Sequence, residues 1–426
     1  MPDFTASVYQ NEYLAEGGTD VHAVVSVACS GAGSAGQTEG VEAAEIIIVD
    51  TSGSMDMPPA KIAAARRAAK VAVGEILDGT WFAVVSGNTQ AQMVYPLRPS
   101  MAKMDAQHRQ EALQAIDGLR SRGATAIGSW INATSELFSS VPSSQRHAIL
   151  LTDGKIEGES PDALPAALRS ASGVFQCDCR GIGDDWVVEE LRSIASALLG
   201  TVDIVADPED LEADFEAMMR TAMSRGVADA TLRVWAPQGS ELLFVRQVAP
   251  TVEDLTPKGT QPSPLIREFP TGAWSDEARD YHVAVRVPTG PVGSERLAAR
   301  VELVVAGDVV AKGLVRGVWS TDTNLTTRID PAVAHYTGQQ RLADVIQKGL
   351  QARADGDDRT ATTLLGEAAK LAHEAGNEDT TRLLTKVVEV VDVEAGTVRL
   401  RQDVAKSDEM ALDTRSTKTT RIKRTS

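Results

Sequence analysis

The chain has 426 residues, 43% of them hydrophobic and 4% aromatic, with a formal charge of −17 at pH 7. That length asks for two to four domains with separate cores. The acidic excess disfavours nucleic acid and anionic membrane surfaces and leaves proteins as the expected partners, while so few aromatic rings disfavour base or sugar stacking. No run approaches the roughly 18 apolar residues of a membrane span. The opening Met1-Pro2-Asp3-Phe4 lacks the basic and apolar segments of a secretory leader. Three cysteines, Cys29, Cys177 and Cys179, make no disulfide framework, so the expected compartment is the cytoplasm.

In chain order, residues 6–10 and 21–28 are two β-rich stretches split by Gly17-Gly18. Gly31, Gly33 and Gly36 match the dinucleotide pattern G-x-G-x-x-G, but that pattern needs a helix opening at its last glycine. Here Gln37-Thr38-Glu39-Gly40 continues the loop, and the stretch reads as a linker. Ile46-Ile47-Ile48-Val49 then reads as a strand buried on both faces, as in a parallel sheet between helices. The polar loop after it falls at the carboxyl edge of that sheet, where α/β folds place their sites. Asp50, Ser52 and Ser54 bring a carboxylate and two hydroxyls, hard oxygen donors that suit Mg²⁺ or Ca²⁺. Without thiol or imidazole in the loop, zinc and copper are disfavoured.

Strand and helix alternate from there. Pro58-Pro59 opens an Ala-rich helix ending near Leu77, residues 81–86 form a strand, and residues 101–119 an amphipathic helix. Gly123-Ala124-Thr125 precedes a helix to about Phe138. A second buried strand, 148–152, ends on Asp153. A helix near 162–171, a strand 174–182, a helix near 186–198, a strand 202–205 and a helix 208–224 complete a doubly wound, Rossmann-like parallel sheet. Cys177 and Cys179 lie on one of these strands as buried thiols, and Glu189 and Glu190 read as a solvated helix face.

Asp50-x-Ser52-x-Ser54, followed by Thr125 and then Asp153 at a strand end, resembles the metal-ion-dependent adhesion site (MIDAS) of von Willebrand factor A (VWA) domains. The resemblance covers about residues 41–225. It implies that Asp50, Ser52, Ser54, Thr125 and Asp153 gather around Mg²⁺, with Mn²⁺ or Ca²⁺ as alternatives, and that the ion captures an Asp or Glu of a protein partner. It further implies that the last helix of the domain slides to switch affinity.

Residues 228–320 alternate apolar and polar residues between Pro and Gly turns, the pattern of an antiparallel β-sandwich. The strands before residue 40 have no place in a doubly wound sheet and are expected to complete this sandwich, so that the VWA domain is an insertion. Residues 340–354, 359–375 and 378–391 read as three helices of a bundle, with Asp355-Gly356-Asp357-Asp358 as a helix connection. The expected domains are residues 1–40, N-terminal strands; 41–225, VWA; 226–325, β-sandwich; 326–400, helical; and 401–426, a disordered basic tail.

A binding or scaffold protein follows, with no catalytic residues. Metal-activated water would need a base beside the loop, and the six histidines form no cluster with it. Ser52 stands where aspartyl-phosphate hydrolases carry a second Asp, and no G-x-S-x-G elbow occurs. Relatives with this domain order resemble actinobacterial proteins that accompany Ser/Thr kinases, phosphatases and forkhead-associated (FHA) domains. Thr414, Thr417, Thr419 and Thr420, beside Arg and Lys, are then expected phosphorylation sites. Two alternatives are an adaptor for a ring-shaped (MoxR-like) AAA+ ATPase and a metal-dependent hydrolase.

Overall fold

The computed structural model describes residues 2–36 and 42–422. They divide into two compact units, one formed by residues up to 31, 230–271 and 277 onward, the other by 32–229 with 272–276. The chain therefore starts a first unit, leaves it to build a second, and returns.

The first unit opens with β1 (Asp3–Gln10), β2 (Tyr13–Leu14) and β3 (Asp20–Ser30). The second unit then follows with β4 (Ala43–Asp50), α1 (Ala60–Glu75), β5 (Trp81–Gly87), β6 (Ala91–Tyr95), β7 (Ala102–Lys103), α2 (Ala106–Ile116), α3 (Ile127–Ser139), β8 (Gln145–Thr152), α4 (Ala163–Ala171), β9 (Gln176–Ile182), α5 (Val188–Ala197), β10 (Val202–Val205) and α6 (Leu211–Met223). Its sheet runs β10-β9-β8-β4-β5-β6, with β7 also on β5. The first five strands are parallel, and β6 and β7 join antiparallel. The sheet is thus mixed, where the sequence pattern suggested parallel strands only. Only residues 88–90 link β5 to β6, and a connection that short can reverse the chain but cannot cross over.

Every residue of β4 is buried. Ile47 and Val49, with Ile149 and Leu151 of β8, pack in one cluster with Ala65, Ala68 and Ala72 of α1 and Phe215 and Met219 of α6. Each such branched side chain contributes about 2 kcal/mol on burial. The alanines let α1 lie close to the sheet, and Arg67–Glu212 and Arg220–Glu75 pairs join α1 to α6 at the rim.

Back in the first unit come β11 (Val227–Trp235), β12 (Glu241–Ala249), β13 (Glu253–Asp254), β14 (Thr260–Ser263), β15 (Ile266–Trp274), β16 (Ala278–Arg286), β17 (Glu295–Val305) and β18 (Asp308–Trp319). They form two sheets, β1-β3-β16-β12-β13 and β14-β15-β11-β17-β18-β2. The N-terminal strands enter both, since β3 pairs antiparallel with β16 along its length and β2 pairs with the end of β18. Gly313 and Gly317 of β18 let the two sheets approach, because a Cβ at Gly313 would lie 2.5 Å from Val8 of β1 and one at Gly317 3.3 Å from Val21 of β3.

The rest of the first unit is α7 (Thr323–Thr326), α8 (Pro331–Ala354), α9 (Asp358–Glu374), α10 (Glu378–Val387), β19 (Val388–Asp392), β20 (Thr397–Leu400) and α11 (Lys406–Arg415). Asp357 caps α9 by accepting from Thr360 N, so the Asp355–Asp358 segment is a helix connection. Two expectations need correction here. The third helix stops at Val387, and residues 388–400 form an antiparallel hairpin, because Val388, Val390 and Val398 pack on the α8–α9 core in extended conformation. The 326–400 segment is therefore not purely helical.

The tail is not disordered as far as Ile422, and residues 423–426 lie outside the described residues. Leu412 and Thr414 of α11 are buried, and Thr417 O accepts from Val252 N while Thr419 N donates to Pro250 O. Arg421 pairs with the buried Asp280 at 2.8 Å and donates to Ser26 Oγ at 2.7 Å, and Tyr336 O–H donates to the same carboxylate. Composition missed this because the segment folds on surfaces supplied by residues far earlier in the chain, with little apolar material of its own.

Candidate metal centre

β4 delivers Asp50 to the carboxyl edge of the α/β sheet with its side chain buried. Asp50 Oδ1 accepts from Ser52 N at 2.7 Å, and Oδ2 accepts from the Thr152 hydroxyl at the end of β8. Burial pushes the Asp50 carboxyl up to about 6, against the opposite pull of the Thr152 hydroxyl and the Ser52 amide. Ser52 Oγ and Ser54 Oγ lie 2.9 Å apart, and Ser54 Oγ donates to Asp153 Oδ1 at 2.7 Å.

Thr125 comes from the loop before α3, which backbone hydrogen bonds hold against the Thr51–Ser54 loop and against Asn88, just after β5. Gly53 N donates to Gly123 O at 3.0 Å, Arg122 N to Thr51 O at 2.7 Å, and Ala126 N to Asn88 O at 3.1 Å. Gly123 has φ +80°, and a Cβ there would come 2.7 Å from Thr89 Oγ1, so only glycine suits this crossing.

The point where a Cβ would stand at Gly154 measures the convergence of the hydroxyls. It is 3.1 Å from Ser54 Oγ, 3.2 Å from Thr125 Oγ1 and 4.0 Å from Ser52 Oγ. Two carboxylates and three hydroxyls from three loops thus meet in front of a residue without a side chain. That donor set fits a hard divalent cation that completes its shell with water or an incoming carboxylate. Among the described residues no group of three or more His, Cys, Asp or Glu could hold a metal, so a thiolate or imidazole site of the zinc type is not in competition with it.

Two residues of this region, Lys61 and Glu159, escaped the sequence reading, and a third, Glu190, departs from it. Lys61, in the first turn of α1, is buried and sets Nζ 2.8 Å from Asp153 Oδ2 and 3.4 Å from Asp185. Burial opposes its charge, but the Asp153 hydrogen bond and charge outweigh that and hold the ammonium above its ordinary range. The available signal was a single lysine directly after the metal loop, at the start of an alanine-rich buried face. Glu159 accepts from Gly128 N at 3.0 Å, at the start of α3. Glu190 accepts from Ile156 N at 3.1 Å and so supports the loop after Asp153, which corrects its reading as solvated face; Glu189 is exposed.

A second buried polar group lies toward the starts of the same strands. His147 bonds Glu45 at 2.9 Å through Nδ1 and Asp178 at 2.8 Å through Nε2, and Asp178 also accepts from Thr201 and meets Arg225 at 3.4 Å. Cys177 and Cys179 flank Asp178 as buried free thiols.

The fold and these residues define an α/β module with an oxygen-donor site built on an Asp-x-Ser-x-Ser loop. The sequence matches the von Willebrand factor type A domain over residues 44–204 and the von Willebrand factor type A C-terminal domain over residues 370–416. The chain belongs to the von Willebrand factor type A family. It is 46% identical to a solved von Willebrand factor type A protein from Catenulispora acidiphila, an alignment covering 99% of this chain and 98% of that one with a TM-score of 0.94. The ArnB paralog VWA2 from Sulfolobus acidocaldarius shares the fold at 14% identity, over 97% of this chain and 98% of that one, with a TM-score of 0.58. No curated protein matches. Among the described residues no helix is long and apolar enough to cross a membrane.

Proposed function

We propose that this protein is a non-enzymatic, metal-dependent binding or scaffold protein. Asp50, Ser52, Ser54, Thr125 and Asp153 would hold Mg²⁺, and the ion would supply an electron-poor position for an Asp or Glu of a protein partner. The observation that carries this reading is the convergence of the Ser52, Ser54 and Thr125 hydroxyls on the space before Gly154, beside two carboxylates. Because Lys61 already offsets the charge of Asp153, the chain neutralises the ion only in part, which favours an added carboxylate. The hydrogen bonds between the two loops keep the donors in place before anything binds, so little ordering is needed on association.

Three buried cysteines, none of them in a disulfide, support a reducing compartment, and the cytoplasm is the proposed location. A setting among Ser/Thr kinases or FHA-domain proteins is proposed from Thr420, which is exposed beside Arg421 and Lys418. The test is a pull-down with and without Mg²⁺, repeated with Asp50→Ala and Thr125→Ala. Partners recovered only with Mg²⁺ and lost in both variants support the proposal. Recovery indifferent to the ion and to both substitutions sinks it.

A further inference from the structure

The loop ladder that carries the metal-site hydroxyls also forms one wall of a cleft of about 350 Å³, lined by residues that include Thr51, Gln92, Leu97, Leu119, Arg120 and Arg122. Thr51 is the residue between Asp50 and Ser52, and Arg122 N donates to its carbonyl, so the cleft adjoins the candidate metal centre through shared backbone. Two arginines on this wall are exposed and have no carboxylate partner among the described residues. Arg122 Nη2 donates only to Gln92 Oε1 at 3.1 Å, and Arg120 Nη1 only to the carbonyls of Asp117 and Leu119, at 2.9 and 2.8 Å. Leu97, at the mouth, is 86% exposed.

A guanidinium left with carbonyl partners keeps N–H donors free and binds a carboxylate in bidentate fashion. An acidic ligand approaching this chain also meets overall repulsion, so it needs local positive charge beyond one cation.

We propose that the cleft is the second half of an acidic-peptide site. A partner segment that offers one carboxylate to the metal loop sets a second carboxylate against Arg122 and Arg120, with its apolar residue on Leu97. This rests on the metal-dependent reading above and specifies the partner, a protein segment with at least two nearby acidic side chains.

The probes are a capped hexaglutamate peptide and a capped hexapeptide of one Glu and five Gln, each followed by fluorescence anisotropy at 0.15 M salt, about the physiological ionic strength. Binding is measured with Mg²⁺ or EDTA, for the unaltered full chain, Arg120→Gln/Arg122→Gln, Asp50→Ala, and the control Lys370→Gln/Arg382→Gln, which removes the same charge from the other unit. The expected result with Mg²⁺ is hexaglutamate bound about tenfold more tightly than the single-Glu peptide, one well-placed charged contact. Arg120→Gln/Arg122→Gln should erase that advantage while its melting temperature still rises with Mg²⁺, and the control should keep it. Mg²⁺-dependent hexaglutamate binding that Arg120→Gln/Arg122→Gln leaves unchanged, or that the control lowers equally, overturns the cleft alone. Absence of a preference for hexaglutamate overturns it as well. Binding indifferent to EDTA and to Asp50→Ala overturns the metal reading together with the cleft.

Discussion

Lys61 Nζ lies 2.8 Å from Asp153 Oδ2, inside the shell of groups that would hold a cation. Asp153 is wholly buried and receives the Ser54 hydroxyl on its other oxygen, so the ammonium is its chief neutralising charge. A divalent ion at the hydroxyl cluster must coexist with that fixed positive charge. Lys61→Met should therefore bind Mg²⁺ on the order of a hundredfold more tightly by titration calorimetry, since even two unit charges about 5 Å apart interact by about 3 kcal/mol at an effective dielectric of about 20. The variant should also be less stable without metal, because it leaves Asp153 short of a partner. Unchanged Mg²⁺ affinity would remove Lys61 from the site's electrostatics.

Gly154→Ala separates the cation's space from the fold. Gly154 is not among the residues with positive φ, so alanine suits its backbone, yet the methyl group would sit 3.1 and 3.2 Å from the Ser54 and Thr125 hydroxyls. The metal-free variant should keep its stability to within about 1 kcal/mol, as volume changes at a partly open site do. The rise in melting temperature on adding Mg²⁺ should disappear. A preserved Mg²⁺ shift would place the cation elsewhere.

The His147 group predicts alkaline sensitivity. Burial works against the imidazolium, but the Glu45 charge and the hydrogen bond to Asp178 prevail and raise His147 to about 9 from its ordinary 6.5. Glu45, facing it, is raised by burial, while Asp178 is held well below the carboxylate range because His147 and Arg225 outweigh its burial. A raised folded-state pKa gives stability that is complete below about 6.5 and is lost as pH climbs through 9. Glu45 has the same sign, and Asp178 acts only in strong acid. Melting temperature should fall between pH 6.5 and 9, by an amount on the order of a few kcal/mol in stability. His147→Asn should flatten that slope, and an identical profile in the variant would assign it to other groups.

Arg421 clamps the tail onto the first unit through a carboxylate with no exposed side-chain surface. Arg421→Ala should cost about 1–3 kcal/mol in denaturant unfolding, less than a fully buried pair because the guanidinium is partly exposed. Among the four threonines singled out, Thr414 is buried and Thr419 Oγ1 donates to Val248 O, whereas Thr420 is exposed. A kinase acting on the folded chain should modify Thr420 before Thr414 or Thr419 by mass spectrometry. Equal labelling of Thr414 would mean that α11 detaches readily.

The sequence by itself determined the α/β unit and the identity of its oxygen donors. Ile46–Val49 and Ala148–Leu151 can only be buried strands, and a carboxylate at the end of such a strand must emerge at the sheet's carboxyl edge. Those features are local, written in runs of four to eight residues. Tertiary structure alone decided the rest, since it depends on groups far apart in the chain. Lys61 meets Asp153 across 92 residues, and a chain position cannot say which end of a helix turns toward a distant strand. Residues 406–422 order because β12, β16 and α8 provide the surface, although their own composition reads as solvated. The hairpin at residues 388–400 replaces a helix for the same reason: side chains with either propensity take the form the neighbouring core accepts.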